Sequence, residues 1–451
     1  MRRILPLLPF LFCLGCDDSS NPTSSSTPII FSSDATLNQW VTGIGAKVSG
    51  IRGLRFKQSV QTSWVTREHL PVLLDSIAAL STGKGDSLSG LTLDQFSYAM
   101  GYTRALGRLD SAQAAFSSSE LGGFYIPGTS HLWVVNDTKS DTTKLASTIA
   151  HELIHALQDQ NFGIRNYHPE SLDADYAYKI LVEGDAEYCQ ILYDNNNPSI
   201  DHINRNAFRD YEALEELIRG NAKLSPMPRL VSLPVLLRYS WGPRFVHDTR
   251  VTSGWSGVDS TLRHPFKTTY EMITPNSYGT FQRTNFIAFS STKTFPAFSS
   301  LGTWSSMGSD QIGQLLLSTL MTTWANRIDP SAVPGRVAAW QGDRFWIWRK
   351  GSTRFAVGGL VGFSTNASAQ TFVSNFKQLS TNAMDEKIYQ ADATGNTAMV
   401  AWGNLDSSEI DSLWKDLKST TSSIKVAGRA SSTLALPRFP TTPWGPLPFR
   451  H

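Results

Sequence analysis

Apolar residues recur at steps of four at Leu145, Ile149, Leu153 and Leu157, while Thr148, His151, His155 and Gln158 fall on another face of the same repeat. This periodicity predicts an amphipathic helix over roughly 142 to 159, with Ser140 and Asp141 as candidate N-caps just before Thr142. A second helix is expected over Ala174 to Tyr193, where Tyr176, Ile180, Leu181, Cys189 and Ile191 supply the apolar positions. Further helical patterns run around Arg67 to Leu80, Leu93 to Leu106, Asn206 to Arg219 and Gly242 to Thr252. Beyond 286 the pattern changes. Short apolar runs at Arg344 to Arg349 and Arg354 to Val361 read as strands, set among helical segments around Ser309 to Arg327, Ala369 to Leu379 and Ser407 to Lys418. The expected fold class is therefore α+β: a helix-rich unit at 31–285 with an α+β module at 286–432 packed on it. The tail at 433–451 carries Pro437, Pro440, Pro443, Pro446 and Pro448 and is expected to be extended. The sequence shows no internal repeat and no transmembrane helix.

The N-terminus changes the picture. Arg2 and Arg3 precede an apolar run from Ile4 to Phe12, and Leu14-Gly15-Cys16 resembles the end of a bacterial lipobox, with Cys13 where leucine is usual. Residues 1–16 thus read as a lipoprotein signal peptide, too short to span a bilayer as a mature helix. Lipidation of Cys16 would anchor an otherwise soluble protein to a membrane of the bacterial cell envelope, and the polar residues 17–30 would form a disordered tether. Of the 3 Cys, Cys13 leaves with the signal and Cys16 carries lipid, so Cys189 remains alone and no intramolecular disulfide is expected. Removal of Arg2 and Arg3 leaves 38 basic against 38 acidic residues, from 40 and 38 in the whole chain. That balance argues against a nucleic-acid partner.

The chemistry is concentrated at His151-Glu-Leu-Ile-His155. One helical turn separates the two histidines, so both imidazoles can reach one metal ion, and Glu152 beside it suits a general base for the attacking water. A catalytic Zn²⁺ usually has three protein ligands. No histidine follows at short range; Glu183 in Leu181-Val-Glu-Gly-Asp-Ala-Glu187 is the favoured third ligand, with Asp185, Glu187 and His168 as alternatives. Gly184 would allow the second helix to approach the first closely. Asp185 or Glu187 would then orient a ligand histidine through its other ring nitrogen. Cys189 reads as a small buried core residue. The expected function is a zinc-dependent hydrolase acting on a peptide or protein substrate.

The run Thr148-Ile-Ala-His-Glu-Leu-Ile-His-Ala-Leu-Gln-Asp-Gln160 with Leu181-Val-Glu-Gly-Asp-Ala186 resembles a family of bacterial zincin-type metallopeptidases of the gluzincin kind. Further likenesses are Ile51 to Phe56 to the family's opening strand, and Gly123 to Pro127 with Leu132 to Val135 to its edge strand before the active helix. Tyr239 to Gly242, Gly254-Trp255, Tyr270-Glu271 and Ala338 to Arg344 resemble later segments, so the likeness covers about residues 45 to 380. It implies a zincin-like catalytic domain, zinc held by His151, His155 and Glu183, and an oxyanion-stabilising residue among Arg238, Tyr239, Tyr270, His247 and His264. Ile154 departs from the threonine common in such helices. Two other readings remain open: a zinc hydrolase acting on a non-peptide amide, and an envelope binding lipoprotein without activity. The intact Glu152 argues against the second.

Overall fold

The structure is a computed structural model that describes residues 34–74, 91–107, 122–136, 142–196, 216, 218–220, 227–273, 287–325, 337, 339–383, 387–419 and 424–425. The expected signal peptide with Cys16, the tether at 17–30, the caps Ser140 and Asp141, most of the helix expected over Asn206 to Arg219 and the tail at 433–451 lie outside the described residues. The chain is α+β. Among the described residues no helix is long and apolar enough to cross a membrane.

Helix α1 (Ala35–Arg52) is followed by strand β1 (Gln61–Val65), helix α2 (Leu93–Met100) and the hairpin of β2 (Gly123–Ile126) and β3 (His131–Val135). The three strands form a sheet in the order β1-β3-β2, with β1 parallel and β2 antiparallel to β3. Two expectations change here. Ile51 and Arg52, expected to open a strand, instead end α1, which Val41, Ile44 and Val48 hold against the core; the first strand comes only at Gln61. Helix α2 starts where expected, in a capping box of Thr92 and Gln95, but stops six residues early because Gly101 turns left-handed at φ 88°.

Helix α3 (Thr142–Phe162) carries the paired histidines and extends just past the expected end. Helix α4 (Leu172–Asp194) begins two residues early because the Ser171 hydroxyl accepts from the Ala174 amide. Every residue from Ile180 to Gln190 is buried, so α4 is a central helix enclosed on all sides, not one with a single core stripe. Helices α5 (Arg229–Arg238), α6 (Trp241–Arg263) and α7 (Thr269–Ile273) complete its surroundings. Helix α6 is twice the expected length and bends at Gly254, whose φ of 64° and ψ of −168° suit glycine. The close approach allowed by Gly184 is not to α3. A Cβ on Gly184 would lie 2.3 Å from the backbone carbon of Gly242, so α4 and α6 cross in direct backbone contact. Gly184 follows Glu183 by one 100° step, so the residue beside the α3-facing carboxylate must face a different neighbour.

The C-terminal part adds a short pair of β4 (Ile287–Ala288) and, from the far end, β10 (Ile424–Lys425), together with helix α8 (Pro296–Ser299). Its main sheet is built from β5 (Ser305–Asp310), β6 (Trp340–Lys350), β7 (Arg354–Phe363), β8 (Ile388–Thr394) and β9 (Thr397–Gly403). These five strands run antiparallel in the order β5-β6-β7-β9-β8. The helix expected from Ser309 is shorter, because Ser309 and Asp310 belong to β5; α9 spans Gly313–Ala325. Helix α10 (Asn366–Ala383) outruns its expected span, while α11 (Ser407–Lys418) matches it, fixed by a capping box of Asp406 and Glu409.

Both faces of this sheet are covered. Phe345, Ile347, Phe355 and Val357 face α9 and α10, while the alternating Trp346, Trp348 and Ala356 pack with Phe298 of α8 and Leu413 of α11. The apolar core is continuous across position 285: Tyr176 and Leu181 of α4 share one cluster with Leu316 of α9 and Trp402 of β9. The module thus packs directly against the helix that carries Glu183.

Candidate metal centre

His151 and His155 project from one face of α3 toward α4, where Glu183 meets them. Their Nε2 atoms are 3.1 Å apart, and Glu183 Oε2 lies 3.2 Å from His151 Nε2 and 3.5 Å from His155 Nε2. Ligands bound at about 2.0–2.1 Å in tetrahedral geometry stand about 3.3–3.4 Å apart along each edge. The three donor atoms therefore outline one face of a tetrahedron of the size a zinc ion requires. Their chemistry, two imidazoles and a carboxylate, fits the same ion.

Both imidazoles are held from behind by amides. Gln158 Nε2 donates to Val182 O and Asp185 Oδ2, each at 2.9 Å, which turns its Oε1 toward His155 Nδ1 at 2.8 Å. On the other side Ser147 Oγ donates to Asp194 and accepts from Gln190 Nε2 at 2.7 Å, so Gln190 Oε1 faces His151 Nδ1 at 2.8 Å. An amide oxygen only accepts, so each Nδ1 carries the proton in the neutral ring and each Nε2 offers its lone pair toward the shared point. The expectation that Asp185 or Glu187 stands behind a ligand histidine meets a different arrangement, since the hydrogen bonds to both Nδ1 atoms come from the two amides. Asp185 acts one link further out, on Gln158, and Glu187 stays 3.8 Å from His151 Nδ1.

Glu152 is buried at the edge of β2, where Tyr125 N donates to its Oε2 at 2.8 Å. The hairpin is fastened again two turns on: Asp159 accepts from the Tyr125 hydroxyl at 2.9 Å and from Gly128 N at 2.6 Å. Burial raises the Glu152 carboxyl above its ordinary range, against the pull of His155 and His151. Burial also acts to raise Glu183, but the two imidazoles outweigh it and hold that carboxylate well below the usual range. For His151, burial lowers the affinity for a proton, yet Glu183, Glu152 and Glu187 together carry it up to about 9. Burial, with Glu183 and Asp194, pushes Glu187 up to about 7. Three buried carboxylates around two imidazoles make a pocket that favours positive charge.

Of the oxyanion candidates, Tyr239 comes to the site, its ring centroid 6.3 Å from that of His151. Burial and the neighbouring carboxylates keep its phenol protonated, so it can donate. Arg238 is buried next to it at the end of α5. Tyr270 lies elsewhere, against Trp340, and its neighbour Thr269 bonds Asp173, ten residues and about 15 Å along α4 from Glu183. His247 contacts Tyr188 and Asp248, His264 is exposed at the end of α6, and the alternative ligand His168 is exposed before α4. Cys189 is buried in the core, as expected.

The sequence pattern gives no role to Gln190, Ser147, Asp194 or Arg52, and it puts Gln158 on the histidine face without one. A signal for them exists. On α3 the polar positions 147, 151, 155 and 158 form one stripe, and on α4 the positions 183, 187, 190 and 194 form another, so extending each metal motif along its own helix face reaches every partner but Arg52.

No protein-family model, curated protein or solved structure matches this chain.

Proposed function

We propose that the chain is a zinc-dependent peptidase with a zincin-like catalytic domain, anchored in the bacterial cell envelope by lipid on Cys16. The observation that carries the chemical part is the triangle of His151 Nε2, His155 Nε2 and Glu183 Oε2, with edges of 3.1, 3.2 and 3.5 Å. A zinc ion held there supplies a Lewis acid and lowers the pKa of water toward neutrality. Glu152, raised by burial and oriented by Tyr125 N, takes the proton from the attacking water and returns it to the leaving amine. Tyr239 is the donor best disposed to stabilise the developing oxyanion.

A peptide substrate is favoured over a small amide by the position of β2. Among the described residues β2 pairs only with β3, and its outward edge carries the amide that holds Glu152. With Tyr125 N committed to Glu152, an extended peptide adding to this edge would pair with its remaining main-chain groups and so bring its own carbonyl to the base. The test is metal analysis of the purified chain together with cleavage of an unfolded protein substrate. Close to one zinc per chain and chelator-sensitive cleavage support the reading. A chain that takes up no zinc, or that cleaves equally well after zinc is stripped, refutes it.

A further inference from the structure

We infer that Arg52 and Asp185 are positioning residues for the metal ligand His155, acting through the Gln158 side chain. The inference rests on the reading of His151, His155 and Glu183 as a metal centre and adds a buried control line behind it. Arg52, at the last turn of α1, and Asp185, on α4, are both 0% exposed. Arg52 Nε donates to Asp185 Oδ1 at 2.8 Å, and its Nη2 donates to Asp259 of α6 at 2.7 Å. Asp185 Oδ2 accepts from Gln158 Nε2 at 2.9 Å, and Gln158 Oε1 faces His155 Nδ1 at 2.8 Å.

The direction of the chain follows from donor and acceptor inventories. Arg52 and the Gln158 amide nitrogen can only donate, so the residue between them must accept on both sides, which a carboxylate does with two oxygens and an asparagine could do with only one. With its nitrogen so engaged, Gln158 has only its oxygen left for His155, which places the ring proton on Nδ1 and the lone pair on Nε2. Remove that oxygen, and the Glu183 carboxylate, 3.5 Å from Nε2, becomes the better acceptor and draws the proton to the ligand nitrogen. Arg52 is itself fixed from outside. Its guanidinium lies over the Trp255 ring at 4.4 Å, and Trp255 directly follows the bend at Gly254. Helices α1, α4 and α6 are thus linked through Gln158 of α3 to one imidazole nitrogen.

The full-length chain with ¹⁵N-labelled histidine gives the first measurement, taken without metal at a pH where the rings are neutral. His155 is expected in the Nδ1–H form in the wild type and displaced toward Nε2–H in Gln158→Leu, a change that leaves the Arg52–Asp185 pair intact. Zinc competition with a chelator gives the second. Gln158→Leu and Arg52→Lys are each expected to weaken zinc binding, Gln158→Leu by about 10- to 100-fold, the usual scale for loss of a group behind a ligand. In the double variant Arg52→Lys is expected to add nothing, since its influence passes through Gln158; a purely structural arginine would cost the same in both backgrounds. If Arg52→Lys fails to fold, Asp185→Asn completes the same cycle. An unchanged His155 tautomer in Gln158→Leu, or additive losses in the cycle, overturns the inference. A wild-type chain that binds no zinc overturns the metal reading instead, while the tautomer measurement still judges the relay.

Discussion

The backbone amide of Tyr125 and the carboxylate of Glu152 are joined at 2.8 Å, which ties the edge strand β2 to the candidate base on α3. In the proposed peptidase the bond would leave Glu152 Oε1 for the attacking water. It also means that a neutral amide of the same shape can keep the contact, because Gln can accept from Tyr125 N through its oxygen.

Glu152→Gln should therefore separate binding from chemistry. Zinc content and thermal stability are expected to stay near wild type, while peptide hydrolysis falls by a factor of roughly 10² or more, the scale for loss of a positioned general base. The rates must be compared on metal-loaded protein. Wild-type cleavage by loaded Glu152→Gln would show that the activity arises at another site or from a contaminant.

Single alanine changes at His151, His155 or Glu183 are expected to remove most of the zinc, since two remaining ligands do not complete the site. Elemental analysis of the purified variants checks this. Full zinc content in Glu183→Ala would assign the third ligand to another residue.

Gly184→Ala tests the crossing of α4 and α6. Its Cβ would meet Gly242 backbone atoms at 2.3, 2.4 and 2.6 Å, and backbone cannot yield as a flexible side chain does. The helices must part beside Glu183, at a cost of about 1–3 kcal/mol or more, with a lower Tm and weaker zinc binding. Gly43→Ala is the control: it sits exposed within α1 with no atom within 4 Å of the added carbon, and is expected to raise stability by about 0.5–1 kcal/mol. Equal Tm shifts in the two variants would contradict the crossing.

Asp173, buried where α4 begins, predicts a pH dependence of stability. Burial, outweighing hydrogen bonds from Thr269 and Gln311, pushes its carboxyl up to about 8. In the unfolded chain the same group loses its proton near its ordinary value of 3.8. Between these limits the folded state holds one more proton, so stability falls as pH rises, by about 1.4 kcal/mol per unit for a single such group. Asp173→Asn can keep the Thr269 bonds and is expected to flatten the decline of Tm between about pH 5 and 8. An unchanged slope would mean that Asp173 is ionised in the folded chain.

Cys16→Ser is expected to abolish lipid labelling and release the protein from membranes, because the proposed anchor requires that thiol. Labelling that persists would refute the lipoprotein assignment.

The amino-acid sequence alone determined the features that depend on neighbours along the chain. His151 and His155 share a face because a helix turns 100° per residue, and the apolar repeat from Leu145 to Leu157 is enough to place them on a helix. Helix α11 likewise begins and ends as expected, since its capping box is local. The strand patterns at Arg344 to Arg349 and Arg354 to Val361 lie within β6 and β7 for a related reason: apolar runs suit a sheet buried on both faces. Tertiary structure decided the rest. Helix α4 is enclosed on every side, and its polar stripe at 183, 187, 190 and 194 does not by itself decide which of its carboxylates meets the histidines. Packing against α3 selects Glu183, the crossing with α6 takes Gly184, and Arg52, far away in sequence, claims Asp185. The same holds for Gln158 and Gln190, whose amides acquire a direction only when acceptors from other turns and helices fix their nitrogens. Periodicity gives the angle of each side chain about its own helix; which neighbour stands at that angle is settled only when the helices pack.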